Sequence, residues 1–367
     1  MQKNKYGKMI LFFIILLLCN RTGFAQNTKK TYKYTLNNAD IIKFDVVKGD
    51  TITTLTGNVD VIYDSIRFYA DNAQIFQSKR LLKLNGNAKA VEDTLEGGAE
   101  NVWYNYDGKI LNLRDSAYFQ EVVNDSISKK VTAEEIDYFK LRSEIKAKGN
   151  IEAKDFIEKV KLECGDFRYD QESKYGSAKI EPVLKFEDRE KLTIRSKQME
   201  IFSDKEKLTA TYDVVIEMKN SFAKGKFLIY FNQNQKSVLL GNPKFQSESA
   251  DASAQEFELF FKEDKLDSLF MSNNARIYFK KNESDKKSNF LFARSVKLDF
   301  EAEKLLYMNA IDVNNSFIRE NKVRTDNFYI NKLKTAFLEV FFDKKEEIEK
   351  VVAEKQIEGV YKFEQKE

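Results

Sequence analysis

The chain has no histidine at all among its 367 residues. That removes the commonest general base and the commonest metal ligand. It has two prolines, Pro182 and Pro243, and no Pro/Gly/Ser-rich stretch that would read as a linker. It has two cysteines, Cys19 and Cys164. There is no phosphate-binding loop, no nucleotide fingerprint and no CxxC pair. Heptads of helical periodicity are also missing, and the one long apolar run, Met9–Leu18, is too short to span a bilayer, which takes roughly 20 residues.

That run follows Lys3, Lys5 and Lys8 and precedes Gly23-Phe24-Ala25, with small residues at −3 and −1. The pattern is a secretory signal peptide over residues 1–25, cleaved after Ala25. Leu18 stands where a small residue should precede a lipidated cysteine, which argues against lipidation at Cys19. The leader carries four basic residues and no acid, so its removal leaves 57 Lys+Arg against 58 Asp+Glu, near −1. Such a balance offers no basic surface for nucleic acid. Cys164 then has no partner for an internal disulfide and reads as a small core residue.

What is present is a repeat. Anchors, mostly small, stand at Ala39, Ala70, Ala99, Ala133, Cys164, Ser196, Lys224, Ala254, Ala293 and Thr325, spaced 28 to 39 residues apart. Three and five residues after each anchor come apolar or aromatic pairs: Ile42/Phe44, Ala73/Ile75, Val102/Tyr104, Ile136/Tyr138 and Phe167/Tyr169. The series continues with Met199/Ile201, Phe227/Ile229, Phe257/Leu259, Val296/Leu298 and Phe328/Ile330. The residue inside each pair is polar except Trp103, Leu228 and Tyr329, which is the alternation of a half-buried strand. A second signal recurs between the pairs: Gly57-Asn58, Gly86-Asn87, Asp115-Ser116, Gly149-Asn150, Tyr212-Asp213, Gly241-Asn242 and Asn273-Asn274. Gly and Asn tolerate positive φ, so these dipeptides mark tight corners between strands.

Each unit is therefore strand, corner, strand, and such a unit must stack on its neighbours to bury its apolar face. The expectation is an all-β chain of about ten units of ~30 residues, with a lead-in at 26–38 and one continuous repeat domain over 39–365. The widest spacing holds the charged segment Lys280–Lys287, which reads as a solvated loop.

The stretch Leu55-Thr56-Gly57-Asn58-Val59-Asp60-Val61, continuing through Ala70-Asp71-Asn72-Ala73 to Leu84-Asn85-Gly86-Asn87-Ala88, resembles the OstA-like family. These are organic-solvent-tolerance or lipopolysaccharide-transport periplasmic proteins. The resemblance is clearest over 55–91 and 131–153 and degenerate after about residue 160. It implies an elongated open β-jellyroll whose apolar groove carries the acyl chains of lipopolysaccharide in the periplasm of a Gram-negative envelope. It also implies partners: lipopolysaccharide or a related glycolipid, other jellyroll components of an export bridge, and head-to-tail copies of the chain. The groove candidates are then Ile42, Phe44, Ile75, Val102, Tyr104, Ile136, Tyr138, Phe167, Tyr169, Met199, Ile201, Phe227, Ile229, Phe257, Leu259, Val296 and Leu298. No C-terminal transmembrane barrel of the outer-membrane relatives is present in the sequence, which ends in the charged segment Lys355–Glu367.

Two other readings stay open on the residues themselves. The apolar stripe could be a closed core, making the chain a β-solenoid scaffold. Carboxylate pairs such as Glu134-Glu135 and Glu346-Glu347 could serve a polysaccharide-cleaving site, but 58 acids make pairs unavoidable and a cleft is required. Asp115/Ser116 and Asp125/Ser126 have no base to activate the hydroxyl. The expectation is a protein that is not an enzyme and needs no cofactor or metal.

Overall fold

A computed structural model describes residues 33–365 apart from 48, 188–191, 232, 249, 263–264, 281–288, 302–303, 322–326, 344–345 and 347. Side chains at 289, 317–331 and 361–365 are likewise outside the description. The leader and the loop at 281–287 thus fall outside the described residues, as do the side chains of Phe328 and Ile330.

The fold is all-β and antiparallel. The first twelve strands are β1 (Tyr34–Asn38), β2 (Ile41–Val47), β3 (Asp50–Tyr63), β4 (Ile66–Phe76), β5 (Leu81–Glu92) and β6 (Leu95–Asn105), then β7 (Ile110–Val123), β8 (Ser126–Phe139), β9 (Glu144–Asp155), β10 (Val160–Asp170), β11 (Tyr175–Lys179) and β12 (Val183–Phe186). They are followed by β13 (Thr193–Arg195), β14 (Gln198–Phe202), β15 (Lys207–Met218), β16 (Ser221–Phe231), β17 (Lys236–Leu240), β18 (Lys244–Ser247) and β19 (Ala250–Ser253). The last seven are β20 (Glu256–Lys262), β21 (Lys265–Phe279), β22 (Asn289–Glu301), β23 (Lys304–Asn321), β24 (Asn327–Phe342), β25 (Ile348–Glu354) and β26 (Glu358–Gln365). Two compact units divide them, one holding β1–β12 with β14, the other β13 with β15–β26.

In the N-terminal unit each strand from β3 to β10 pairs with the next in sequence. Most of these strands kink once near the middle. Register slips between Thr56 and Val59, between Asn85 and Ala88, and between Arg114 and Ala117, where Gly57-Asn58, Gly86-Asn87 and Asp115-Ser116 are inserted. Both residues of all seven corner dipeptides have positive φ, from 43° at Asn150 to 89° at Gly241. Six of the corners lie inside a strand and are bulges, which bend it without ending it, while Gly241-Asn242 separates β17 from β18. Bending every strand at the same level folds the sheet over into an open β-jellyroll, with two half-sheets facing each other.

Half-sheet I carries the turns at 64–65, 93–94, 124–125 and 156–159; half-sheet II carries those at 77–80, 106–109, 140–143 and 171–174. Small residues line the bend: Ala70, Ala99, Ala133 and Cys164 are all buried there, next to the slips. Facing rings show the folding directly. Phe68 of half-sheet I lies 5.3 Å from Tyr104 of half-sheet II, and Phe119 lies 5.0 Å from Tyr138, although neither pair is adjacent in the ladder.

The C-terminal unit repeats the scheme. β15 slips between Thr211 and Val214, β21 between Ser272 and Ala275, and β23 between Val313 and Ser316. Its long meander β21–β22–β23–β24 ends on β25 and β26, which pair with the two halves of β24.

Candidate functional site: an apolar interior with a strapped mouth

Most of the expected inward residues converge on the space between half-sheets. In the N-terminal unit Ile75, Val102, Tyr104, Ile136, Phe167, Tyr169, Met199 and Ile201 are all buried, none more than 2 % exposed. In the C-terminal unit Phe257, Leu259, Val296 and Leu298 are buried on the corresponding face. Tyr138 is half-buried and lines a cleft. The interior of each unit is thus closely filled by side chains at these positions.

Two pairs depart from this. Phe227 and Ile229 are only half-buried, while Leu228 and Tyr230 between and beyond them are buried. Leu228 pairs with Ala210 and Tyr230 with Leu208, both inward residues, so Phe227 and Ile229 face out. The physical reason is register: Gly225 sits opposite Val214 as Ala70 sits opposite Val59, so Gly225, not the exposed Lys224, occupies the anchor position. A one-residue slip sends every side chain of a strand to the other face. Ile42 and Phe44 do share a face with the buried Leu55 and Thr53 opposite them, but they are 44 % and 64 % exposed because β2 pairs only with β3 among the described strands.

The mouth of the N-terminal unit is crossed by side chains that the sequence pattern did not single out. Lys109, in a half-sheet II turn, places Nζ 2.7 Å from Asp64 Oδ2 in a half-sheet I turn. Lys140 Nζ donates to Glu92 Oε1 at 2.5 Å and to Ser65 Oγ at 3.0 Å, again from half-sheet II to half-sheet I. The rings of Tyr63 and Tyr106 stack beside them at 4.0 Å and 15°. The partners are 43 to 75 positions apart in sequence and stand in or beside separate turns, so no pattern of spacing could have found them.

Beneath the straps lies a cleft of about 340 Å³, counting its open mouth. Half-sheet I lines it with Ile66, Ala90, Leu95, Gly97 and Phe119; half-sheet II lines it with Tyr104, Leu111 and Tyr138. Gly97 lets the two walls approach closely: a Cβ there would press on Phe119, Leu113 and Leu111 at 3.1–3.4 Å. Tyr104 Oη is buried without a hydrogen-bond partner among the described residues. Burial, reinforced by the Asp64 and Glu92 carboxylates, pushes its phenol pKa well up, so the hydroxyl stays protonated and able to donate.

Residues 38–155 match the family described as LptA/(LptD N-terminal domain) LPS transport protein. That segment is similar to this family. The LptA/LptD N-terminal match thus covers β2–β9 together with the straps and the cleft. Among solved structures, the chain is similar to LptH from Pseudomonas aeruginosa, described as the LptA-homologous periplasmic component of the conserved lipopolysaccharide transport device. That similarity has 16 % sequence identity and a TM-score of 0.28, over 31 % of this chain and 82 % of the other. No curated protein matches the chain. Among the described residues no group of three or more Cys, Asp or Glu is placed to hold a metal ion, and no helix is long and apolar enough to cross a membrane.

Proposed function

We propose that this chain is a periplasmic lipopolysaccharide-transport protein that shelters acyl chains between its half-sheets. The observation that carries the reading is the mouth of the family-matched segment. There side chains in or beside the turns join the two half-sheets, so the jellyroll can part along that line without breaking its ladder. An acyl chain crossing an aqueous compartment exposes methylenes at roughly 0.8 kcal/mol each, and the continuous apolar stripe offers the matching surface. The leader supports export, and the exposed outer strand β2 supports strand-to-strand docking onto other jellyroll components or a second copy. Transport of this kind calls for no catalytic group or cofactor.

A second reading is favoured by one observation. The inward stripe is closely packed as it stands, as in a scaffold whose interior never opens. The two readings part on a single measurement. Protein purified from a lipopolysaccharide-producing envelope, with its leader intact at expression, is extracted and examined by native mass spectrometry. Co-purifying lipopolysaccharide supports transport. A lipid-free protein that also fails to take up added lipopolysaccharide supports the scaffold.

A further inference from the structure

We propose that the Lys109 and Lys140 straps are the entry site of the groove, where a phosphate-bearing headgroup displaces Asp64 and Glu92 while an acyl chain enters the cleft behind them. The inference rests on the transport reading and names the site and chemistry of loading within it. Three features of the same small region converge on it. The straps join opposite edges of the mouth through flexible lysine side chains, and Lys140 and Glu92 are partly shielded, at 21 % and 15 % side-chain exposure. The cleft directly beneath is apolar and is walled by residues of both half-sheets, Phe119 and Leu95 on one side and Leu111 and Tyr138 on the other. The buried Tyr104 hydroxyl stands unpartnered in its wall, an arrangement that normally costs stability unless a ligand group completes it.

The chemistry of exchange follows. Each strap joins a lysine to a singly charged carboxylate. A phosphate monoester carries about −1.5 to −2 charges and three acceptor oxygens, so it competes for both ammonium groups at once. Asp64 and Glu92, released, turn back to solvent on their hairpins. The half-sheets then separate, and the chain attached to the headgroup replaces the strap as the filling of the mouth. Tyr104 Oη donates to an ester carbonyl or hydroxyl on that chain. The ligand is therefore an anionic amphiphile; free phosphate lacks the chain that holds the half-sheets apart.

The test uses the full chain with two probes, a bis-phosphorylated lipid A and its dephosphorylated form, with inorganic phosphate as competitor. Wild type should capture the phosphorylated lipid more tightly, and millimolar phosphate alone should not protect the cleft. Lys109→Gln and Lys140→Gln should each lower the preference for the phosphorylated over the dephosphorylated lipid roughly fivefold. Asp64→Asn with Glu92→Gln should strengthen capture of the phosphorylated lipid, because the internal competitors are gone. Tyr104→Phe should keep or raise the melting temperature of the lipid-free protein while weakening capture of both lipids, a split that a purely structural hydroxyl would not produce. If wild type captures both lipids and the lysine variants make no distinction between them, the entry site is overturned and transport stands. Capture of neither lipid by wild type overturns transport and the entry site together.

Discussion

Asn87 Nδ2 donates a 3.0 Å hydrogen bond to Asp71 Oδ2, a carboxylate that also occupies the space where a Cβ of Gly86 would project. The same clasp joins Asn150 to Glu134 Oε1 at 2.6 Å beside Gly149, and Asn58 to Asp40 Oδ2 at 3.3 Å beside Gly57. At each of these bends an acid grips a Gly-Asn bulge: Asp71 and Glu134 do so from the preceding strand, and Asp40 from the link between β1 and β2. The recurrent Gly-Asn is thus half of a paired device, and the acid sixteen or eighteen residues before the Asn is its other half.

Replacing Gly86 with Ala should therefore destabilise the protein by about 1–3 kcal/mol, because it adds a side chain at φ +77° and collides with Asp71. Combining Gly86→Ala with Asp71→Ala should recover part of that loss by removing the collision and leaving the backbone strain. Denaturant titration of the single and double variants measures the difference. Equal losses with and without Asp71 would refute the clasp.

The register correction in β16 separates two phenylalanines. Phe257→Asp places a carboxylate at a fully buried position and should cost upwards of about 4 kcal/mol or prevent folding. Phe227→Asp, on the outward face, should fold with a loss of about 1 kcal/mol or less. Circular dichroism melts of the two variants decide between this register and the one anchored on Lys224.

Burial pushes the Cys164 thiol up to about 12, with Asp166 adding repulsion. The thiolate is the reactive form, so native protein at pH 8 should resist alkylation and react only on unfolding. Mass spectrometry after a timed iodoacetamide pulse, with and without denaturant, reads this out. Rapid modification of the native protein would contradict the packing at this bend.

Acid sensitivity should come partly from a rung of alternating charges across β9, β10 and β12. Lys161 bridges Glu152 and Glu163, while Lys154 and Lys185 flank them at 2.7 Å. Hydrogen bonds from Lys154 and Lys161 hold the Glu152 carboxyl below its usual range, and those from Lys161 and Lys185 do the same for Glu163. Depressed carboxylates stabilise the fold above their unfolded pKa, and that stability is lost as pH falls through the lower folded values. Lys161 is raised to about 12, so its share is present below its ordinary value and lost only as pH climbs through that figure. Lys161→Met should accordingly flatten the decline in stability below about pH 4.5, by a small, salt-screened amount. Denaturation midpoints from pH 3 to 7 at two ionic strengths provide the check.

The outer strand β2 presents Ile41, Ile42, Phe44, Val46 and Val47, all exposed, and an edge unpaired among the described strands. A photocrosslinker at Phe44 should capture a second jellyroll chain in the envelope. At the other end Val351 on β25 suits the same experiment better than Val340, which is buried on β24 between β23 and β25. Crosslinks to no protein from either position would argue for a chain that works alone.

The all-β class, the repeat and the positions of the corners were legible in the sequence because they are local. Alternation of apolar and polar residues is a property of five consecutive positions, and positive φ selects Gly, Asn and Asp at the residue concerned. Even the error at β16 left a local trace, since Leu228 was one of three apolar residues inside a pair and Gly225 stood next to the chosen anchor. Trp103, another of the three, has a different cause: it is half-buried on the outer face, with the Arg114 guanidinium 5.9 Å from its ring.

What only the tertiary structure decided is which side chains meet once the sheet is folded over. Tyr63 and Tyr106, Asp64 and Lys109, Glu92 and Lys140 sit in or beside turns far apart along the chain. Their pairing depends on where two distant hairpins arrive after every strand between them has bent at its bulge. Exposure of the stripe is likewise set by neighbours: Phe44 and Phe257 obey one pattern, yet one lies on an outer strand and the other has strands on both sides. Periodicity determines which face a side chain takes, and only the assembled sheet determines whether anything covers that face.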